Sequence, residues 1–192
     1  MTKPLLEKTV LITGVGGGIG NTFLHHLKNK CKAIVSASRS SLEGILRGTE
    51  PLNTHEHLSL DLTAEKNVRK IFNYIDNNYS ELNVFINTIG GSLYSHKLEN
   101  FPLKEFQEVL GLNLTSAFLL TREAIRLMKT RGGHIVHVVS SSAKQMASNK
   151  GPYGIAKAGL ARMIQQAAAE CGEYSIKVNG ISPTYVFTPR HE

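Results

Sequence analysis

A glycine-rich segment near the amino terminus constrains the fold of this 192-residue chain more than any other feature. Residues 13–20 read TGVGGGIG, and they follow a short apolar run at residues 10–12. From the end of this segment onwards, apolar residues recur at helical spacing: Ile19, Phe23, Leu24 and Leu27. The pattern predicts a buried strand, a tight turn and an amphipathic helix. Such a unit suits a dinucleotide, because glycines let the backbone approach the pyrophosphate and the helix start offers free N–H groups to it.

Strand and helix signals keep alternating along the chain, without a linker or a low-complexity stretch. Apolar runs predict further strands at residues 32–37, 57–60, 82–87, 135–139 and 176–181. Helices are predicted at residues 64–77, at residues 102–129, and in a segment that carries Tyr153 and ends near Cys171. This alternation predicts an α/β fold with a doubly wound, Rossmann-type parallel sheet of six strands, formed by one domain over residues 1–192. Ligands of such sheets bind beyond the carboxyl ends of the strands.

Composition narrows the class of protein. A hydrophobic content of 41% with 19% charged residues is typical of a globular domain. The absence of a long apolar run and of a signal peptide predicts a cytoplasmic protein with no membrane span. Cys31 and Cys171 lack any metal-binding spacing and are predicted to be free thiols, and His55 and His57 lack a third ligand, so no metal is expected. The net charge of +7 comes from scattered basic residues, which favours an anionic small ligand over nucleic acid.

Tyr153 and Lys157 form the pair with the clearest chemical meaning. They are four residues apart, so they share one face of a helix. An ammonium close to a phenol favours its ionised form, which makes the tyrosine an effective acid or base near neutral pH. The alternative interpretation is a surface tyrosine beside a solvated lysine.

Taken together, these motifs resemble the short-chain dehydrogenase/reductase family over essentially the whole chain. The TGxxxGIG turn is followed by Asp61 after the third predicted strand, by residues 87–90 (NTIG) after the fourth, and by Asn113 in the long helix. Ser140 precedes Tyr153 by thirteen residues, and the segment at residues 178–183 (VNGISP) is followed by Thr188 and Pro189. The NTIG segment departs from the family pattern at its two middle residues.

The resemblance implies a catalytic tetrad. Tyr153 is expected to be the general acid in carbonyl reduction, with Lys157 tuning it and holding the nicotinamide ribose. Ser140 is expected to donate a hydrogen bond to the substrate oxygen, and Asn113 to hold a water in a proton relay with Lys157. The implied cofactor-binding residues are Gly14, Gly16, Gly17, Gly18, Ile19, Gly20, Ser38, Arg39, Asp61, Leu62, Asn87, Gly90, Tyr153, Lys157, Pro183, Val186 and Thr188.

The end of the second strand predicts the coenzyme. An acidic residue there would bind the ribose hydroxyl of NAD, whereas this chain has Ser38, Arg39 and Ser40. Arginine binds phosphate in a bidentate manner, and serines donate hydrogen bonds, so NADP(H) is predicted. The alternative is a loop arginine in solvent.

Two departures from the family limit the prediction of the substrate. Thr184 stands where the family usually has glycine, and the chain stops at Glu192, where relatives continue with a substrate-covering segment, a helix and a last strand. The chain is therefore predicted to be a truncated or shortened member that lacks the C-terminal strand and helix. The sixth strand would then be an exposed edge.

Three functions are compatible with the sequence. The first is an NADP(H)-dependent reductase of ketones to secondary alcohols, including 3-oxoacyl thioesters, whose acidic carrier would suit the basic residues Arg126, Lys129 and Arg131. The second is a nucleotide-binding regulator without turnover, and the third is an assembly role in which the sixth strand recruits a partner. A homodimer is predicted from small residues expected on outward helix positions: Ser116, Ala117, Ala156, Ala161, Ala167 and Ala168.

Overall fold

Six parallel strands form the centre of the molecule. The computed structural model describes residues 4–41, 55–146 and 148–187. The strands are β1 (Thr9–Thr13), β2 (Ala33–Ser38), β3 (His55–Ser59), β4 (Val84–Asn87), β5 (Gly133–Val138) and β6 (Ile176–Ile181), in the spatial order β3-β2-β1-β4-β5-β6. The order reverses between β1 and β4, where ligands of doubly wound sheets bind. The predicted fold class is confirmed, and β3 begins two residues earlier than predicted.

Five α-helices connect the described strands. They are α1 (Gly18–Leu27), α2 (Glu65–Tyr79), α3 (Leu103–Leu110), α4 (Ser116–Met128) and α5 (Gly151–Cys171). The apolar residues at helical spacing in α2 are all buried: Val68, Ile71, Phe72 and Ile75. No helix in the described part of the chain is both long and apolar enough to cross a membrane.

The sheet is covered on both faces, as the continuous apolar character of its strands requires. Successive residues of a strand point to opposite faces, so Leu11 packs with one cluster while Val10 and Ile12 pack with the other. The first cluster includes residues of α2, α4 and α5, and the second includes Leu24 of α1. All five residues of β1 are buried, which places the glycine-rich turn at the end of the most protected strand.

The long helix predicted at residues 102–129 is interrupted. Residues Gly111–Thr115 form a π-helical turn between α3 and α4, in which the amide of Ser116 donates to Gly111 O, five residues back. Side chains satisfy carbonyls around this turn. The Ser116 hydroxyl donates to Leu112 O at 2.6 Å, and the Asn113 amide donates to Val109 O at 3.0 Å. Periodicity alone does not reveal such a turn, because it depends on side chains competing for backbone carbonyls.

The residues expected on the outward face of the long helices lie elsewhere. Ser116, Ala117, Ala156 and Ala167 are buried within the single chain, so their assignment to an outward, dimer-forming surface is wrong. The large apolar residues exposed on α4 and α5 are Phe118 and Ile155, each 48% exposed. Small size at the four buried positions serves the packing of α4 and α5 within the chain.

Candidate functional site

The residues selected from the sequence lie at the carboxyl edge of the sheet. Gly14 follows β1, Ser38 ends β2, Gly90 follows β4, and Ser140 follows β5. Pro183 follows β6 and accepts a hydrogen bond from the Ser141 amide on its carbonyl oxygen at 2.9 Å. Five segments that are far apart in sequence therefore border one region of the surface.

The glycine-rich turn brings backbone close to backbone. Gly14 has φ of +85°, and a Cβ at this position would lie 2.7 Å from Thr88 Oγ1 and 2.9 Å from the Ile89 nitrogen. Helix α1 begins at Gly18 after Gly17, and no described side chain caps its first turn. Its first amides are thus left for a ligand, and a helix N-terminus of this kind favours an anion such as a pyrophosphate. Gly16, Ile19 and Gly20 lie in the same turn and helix start.

Tyr153 and Lys157 lie in the first two turns of α5. Tyr153 is half-buried, whereas Lys157 is only 2% exposed. The ammonium Nζ lies 5.8 Å from the centre of the Tyr153 ring and donates to Val138 O at 2.9 Å. Burial lowers the pKa of Lys157 to about 8. The predicted i, i+4 pairing is present, and the lysine is a buried cation, so the alternative of a solvated lysine does not hold.

Asn113 ties the π-turn to the segment after β4. Its side chain is fully buried, accepts from the Gly91 amide and donates to Gly91 O, both at 3.0 Å. A Cβ placed on Gly90 would lie 2.7 Å from Asn113 Oδ1 and 2.8 Å from Lys157 Nζ. The two side chains therefore converge on Gly90. The side-chain amide of Asn113 is engaged with these backbone groups. The expected water relay through Asn113 stays a prediction.

Ser140 is positioned to donate a hydrogen bond. It is 9% exposed, and its Oγ accepts from the Ser142 amide at 3.2 Å. This bond uses a lone pair of the oxygen and leaves the hydroxyl proton for another acceptor. The polar loop after β5 is thus folded so that Ser140 is fixed by its own backbone.

A buried polar network behind the site was not predicted. Asn87 Oδ1 accepts from Thr13 Oγ1 at 2.8 Å and from the Ile89 amide at 3.1 Å, so its amide nitrogen faces His137 Nδ1 at 3.1 Å. The other ring nitrogen lies 3.0 Å from Thr121 Oγ1. Because Thr121 donates to a backbone carbonyl, His137 carries its proton on Nε2.

This network joins three strands to α4 and is shielded from water. His137 is fully buried, and burial, with a smaller effect of nearby Lys157, lowers its pKa to about 4. Asn87 is 1% exposed, so its side chain fixes the end of β4 from inside. A histidine within the apolar run of β5 was the sequence signal that could have revealed this network. Direct contact of Asn87 with a cofactor stays a prediction.

The end of β2 lies over the glycine-rich turn. A Cβ on Gly16 would lie 2.7 Å from Ser40 Oγ and 3.5 Å from Ser38 Oγ. The hydrogen bond from the Thr63 amide is the main cause of the lowered pKa of Asp61. Arg39, which is exposed, lies close enough to contribute to this lowering. Two serine side chains therefore border the turn at this position, and Arg39 lies between them in sequence. Leu62, the next residue after Asp61, is buried.

An apolar cavity adjoins the other end of the turn. Its volume is about 300 Å³, and it is lined by Ile19, Thr22, Phe23, His26, Val138, Ile181, Pro183 and Val186. Three of these residues belong to the predicted cofactor-binding set. Thr188 lies outside the described residues. Within those residues, no group of three or more His, Cys, Asp or Glu side chains could hold a metal ion.

The fold and this arrangement define a Rossmann-type, dinucleotide-binding oxidoreductase. Residues 8–192 match the short chain dehydrogenase family, and the chain belongs to that family, whose members use a nicotinamide cofactor.

Three known proteins show the range of the similarity. The mitochondrial borneol dehydrogenase of Lavandula x intermedia is 31% identical over 189 residues, which cover 97% of this chain and 72% of that protein. The NAD-dependent glycerol dehydrogenase of Listeria innocua is 27% identical over 186 residues, covering 96% and 72%. The solved structure of ElxO with NADP bound has a TM-score of 0.86 and 26% identity, covering 96% of this chain and 76% of that one. Coenzyme use thus differs among proteins similar to this chain.

Proposed function

We propose that residues 1–192 form one NADP(H)-binding domain that interconverts a ketone and a secondary alcohol, with Tyr153 as the proton donor and acceptor. The observation that carries the proposal is the convergence of Asn113 and Lys157 on Gly90, one helical turn from Tyr153 and at the same sheet edge as Ser140. These residues come from four separate segments. A site with a phenol, a buried cation and a fixed hydroxyl suits general acid–base chemistry at a carbonyl oxygen.

The residues present fit a nicotinamide dinucleotide. The uncapped start of α1 suits its pyrophosphate, and the hydroxyls of Ser38 and Ser40, which lie close to the Gly16 backbone, suit the adenosine ribose. The apolar cavity that includes Ile19, Pro183 and Val186 suits the nicotinamide ring. When bound, the reduced coenzyme supplies the hydride.

Side chains of this domain transfer the proton and stabilise the negative charge that develops on the substrate oxygen. In reduction, the Tyr153 hydroxyl donates its proton to the carbonyl oxygen as negative charge develops there. Ser140 keeps its hydroxyl proton for the same oxygen, which stabilises that charge. Lys157, held at Val138 O, provides a fixed positive charge beside the tyrosine ring. In oxidation each of these steps runs in reverse.

The preference for NADP(H) over NAD(H) rests on Arg39. The described residues at the end of β2 include no carboxylate that could accept from a ribose hydroxyl, whereas Arg39 and Ser40 can donate to a 2′-phosphate. The nearby Asp61 carboxylate belongs to the next strand end. It accepts from the amide and hydroxyl of Thr63, at 3.0 and 2.8 Å.

We prefer a free small-molecule carbonyl or alcohol over a carrier-bound acyl chain. The basic cluster considered for a carrier is engaged within the chain. Arg126 pairs with Glu123 at 2.8 Å, Lys129 lies 4.4 Å from the centre of the Tyr174 ring, and Arg131 donates to Ser80 O at 2.8 Å. A carrier would have to compete with these contacts.

The homodimer remains part of the proposal on a different surface. Phe118 on α4 and Ile155 on α5 are large apolar side chains exposed on the helices that were expected to pair. Burying them against a symmetry mate would remove apolar surface from water. Light scattering of wild type and of Phe118→Ser with Ile155→Ser tests this, and an unchanged mass would refute this surface.

The turnover assay follows NADPH oxidation with a panel of ketones and with acetoacetyl thioesters. Tyr153→Phe should reduce kcat by about 10²–10⁴-fold, the usual contribution of a positioned general acid, and leave NADPH affinity nearly unchanged. Tyr174→Phe is the matched control, because Tyr174 comes just before β6 and so lies at the edge of the sheet opposite the site. NADPH binding without turnover of any substrate would favour the regulator, and full activity of Tyr153→Phe would refute the assigned proton donor.

A further inference from the structure

Two histidines of β3 share one buried serine of β2. Ser36 Oγ lies 2.7 Å from His55 Nε2 and 2.8 Å from His57 Nδ1, and Ser36 is fully buried. The parallel register pairs Ser36 with His57, so the contact follows from the sheet itself. On its far side, His57 Nε2 lies 2.9 Å from Ser40 O, in the segment that follows β2.

The direction of each hydrogen bond can be worked out. A carbonyl oxygen only accepts, so His57 Nε2 carries a proton and donates to Ser40 O. Burial lowers the pKa of His57, although its bond to Ser40 opposes this, and burial together with nearby His57 and His25 lowers the pKa of His55 to about 4. Both rings are therefore neutral at pH 7. His57 Nδ1 must accept from the Ser36 hydroxyl, and Ser36 Oγ must accept from His55 Nε2.

This chain of hydrogen bonds holds the segment proposed to select the coenzyme. Ser40 O accepts a hydrogen bond from His57 Nε2 and a longer one from Ser38 Oγ at 3.4 Å. The preceding carbonyl oxygen, of Arg39, accepts a hydrogen bond from the Ser59 hydroxyl at 3.3 Å. Two consecutive peptide groups are thus held by side chains of the neighbouring strand β3, which constrains the backbone that carries Arg39 and Ser40.

We propose that His57 is a positioning residue for coenzyme selection, acting through Ser40 O on the orientation of Arg39 and Ser40. The inference rests on the proposed preference for NADP(H) and adds a residue that never touches the coenzyme. Its consequence is selective. Loss of the His57 contact should weaken recognition of the 2′-phosphate, while the pyrophosphate site at α1 and the chemistry at Tyr153 remain unchanged.

A pair of substitutions tests separately the contacts made by the two ring nitrogens of His57. In His57→Asn, the side chain still reaches Ser36 but is too short for Ser40 O, whereas in His57→Gln the amide nitrogen reaches about as far as Nε2. Calorimetry would measure binding of adenosine 2′,5′-bisphosphate, which carries the phosphate, and of 5′-AMP, which lacks it. His134→Asn is the control, since His134 lies near the amino-terminal end of β5, whereas the site lies beyond the carboxyl ends of the strands.

In His57→Asn, bisphosphate binding should weaken about five- to tenfold, as expected for one lost positioning hydrogen bond, with 5′-AMP changed by less than about twofold. His57→Gln should restore most of the loss, and His134→Asn should match wild type. In turnover, KM for NADPH should rise in His57→Asn at constant kcat. If that variant folds poorly, Ser36→Ala should show a smaller loss in the same direction, because the His57 ring then loses its orienting donor.

The failures of the two proposals are distinguishable. If wild type binds the bisphosphate no better than 5′-AMP, the NADP(H) preference is wrong, and the role of His57 falls with it. If Arg39→Ala abolishes the preference but His57→Asn leaves it intact, only the positioning role is refuted. Equal weakening of both ligands in His57→Asn would also overturn it, since it would indicate general loss of packing.

Discussion

Gly90→Ala is the substitution for which the structure gives the most specific expectation. The added Cβ would lie 2.7 Å from Asn113 Oδ1 and 2.8 Å from Lys157 Nζ, closer than nonbonded atoms tolerate. Both atoms are engaged, one with the Gly91 amide and the other with Val138 O. Relief of the overlap therefore has to lengthen or break at least one of these buried hydrogen bonds.

The magnitude follows from those two bonds. A neutral hydrogen bond contributes about 1 kcal/mol and one to a charged group about 1.5–3 kcal/mol, so the unfolding free energy should fall by about 1–4 kcal/mol, depending on whether one bond or both are lost. Displacement of Lys157 should also reduce kcat by about tenfold or more, because a shift of about 1 Å in a catalytic site has large effects on rate.

Urea denaturation and steady-state kinetics would measure these two effects. Gly172→Ala is the control, because nothing lies within 4 Å of a Cβ at that residue and its backbone is right-handed helical. It should be neutral or slightly stabilising. A Gly90→Ala protein within about 0.5 kcal/mol of wild type, the range of ordinary surface substitutions, would refute the convergence of Asn113 and Lys157 on this glycine.

Two further predictions concern coenzyme selection and acid stability. Arg39→Ala should weaken NADPH binding by about 1.5–3 kcal/mol, the contribution of a hydrogen bond to a charged group, and leave NADH unchanged; equal losses would exclude contact with the 2′-phosphate. His137 has a pKa of about 4 in the folded chain against 6.5 as a free side chain, so the unfolded state binds more protons between these values. Stability should therefore fall as pH drops from about 6.5 to 4, by up to about 3 kcal/mol from this residue, and urea titrations of His137→Asn should show a shallower acid decline. An identical acid profile would refute a neutral, buried His137.

Local sequence patterns predicted the order of strands and helices because each signal is complete within a few residues. The apolar run before the glycine-rich turn and the four buried positions of α2 need only the period of a strand or a helix. Gly14, Gly90 and Ser140 each follow a strand in the sequence. Because parallel strands end at a common edge, the three residues are expected to lie at that edge. Their roles in binding and catalysis remain predictions.

Interactions that depend on register could not be predicted from these patterns. The contact of Ser36 with His55 and His57 requires the pairing of β2 with β3, and the contact of Asn87 with His137 requires that of β4 with β5. The burial of Ala156 depends on the rotation of α5 against the sheet, which composition does not reveal. These features arise from tertiary packing, which local propensity does not encode.

The π-turn between α3 and α4 accommodates one extra residue without changing the faces of the helix that follows. Val109, Asn113 and Ala117 are all buried and are spaced by four residues. In a regular α-helix each such step rotates the side chain by about 40° beyond a full turn, so the three would spread over about 80°. The wider turn at Gly111–Thr115 absorbs this rotation and keeps them on one side.

The π-turn therefore holds one residue more than a regular helix would need between the same two faces. Deleting one residue between 111 and 115 would leave seven steps from Val109 to Ala117, which a regular helix turns by about 700°, within about 20° of two full turns. The residues of α4, Phe118 included, would then keep their faces. The deletion should instead act on Asn113, whose bonds to Gly91 depend on its place in the wider turn.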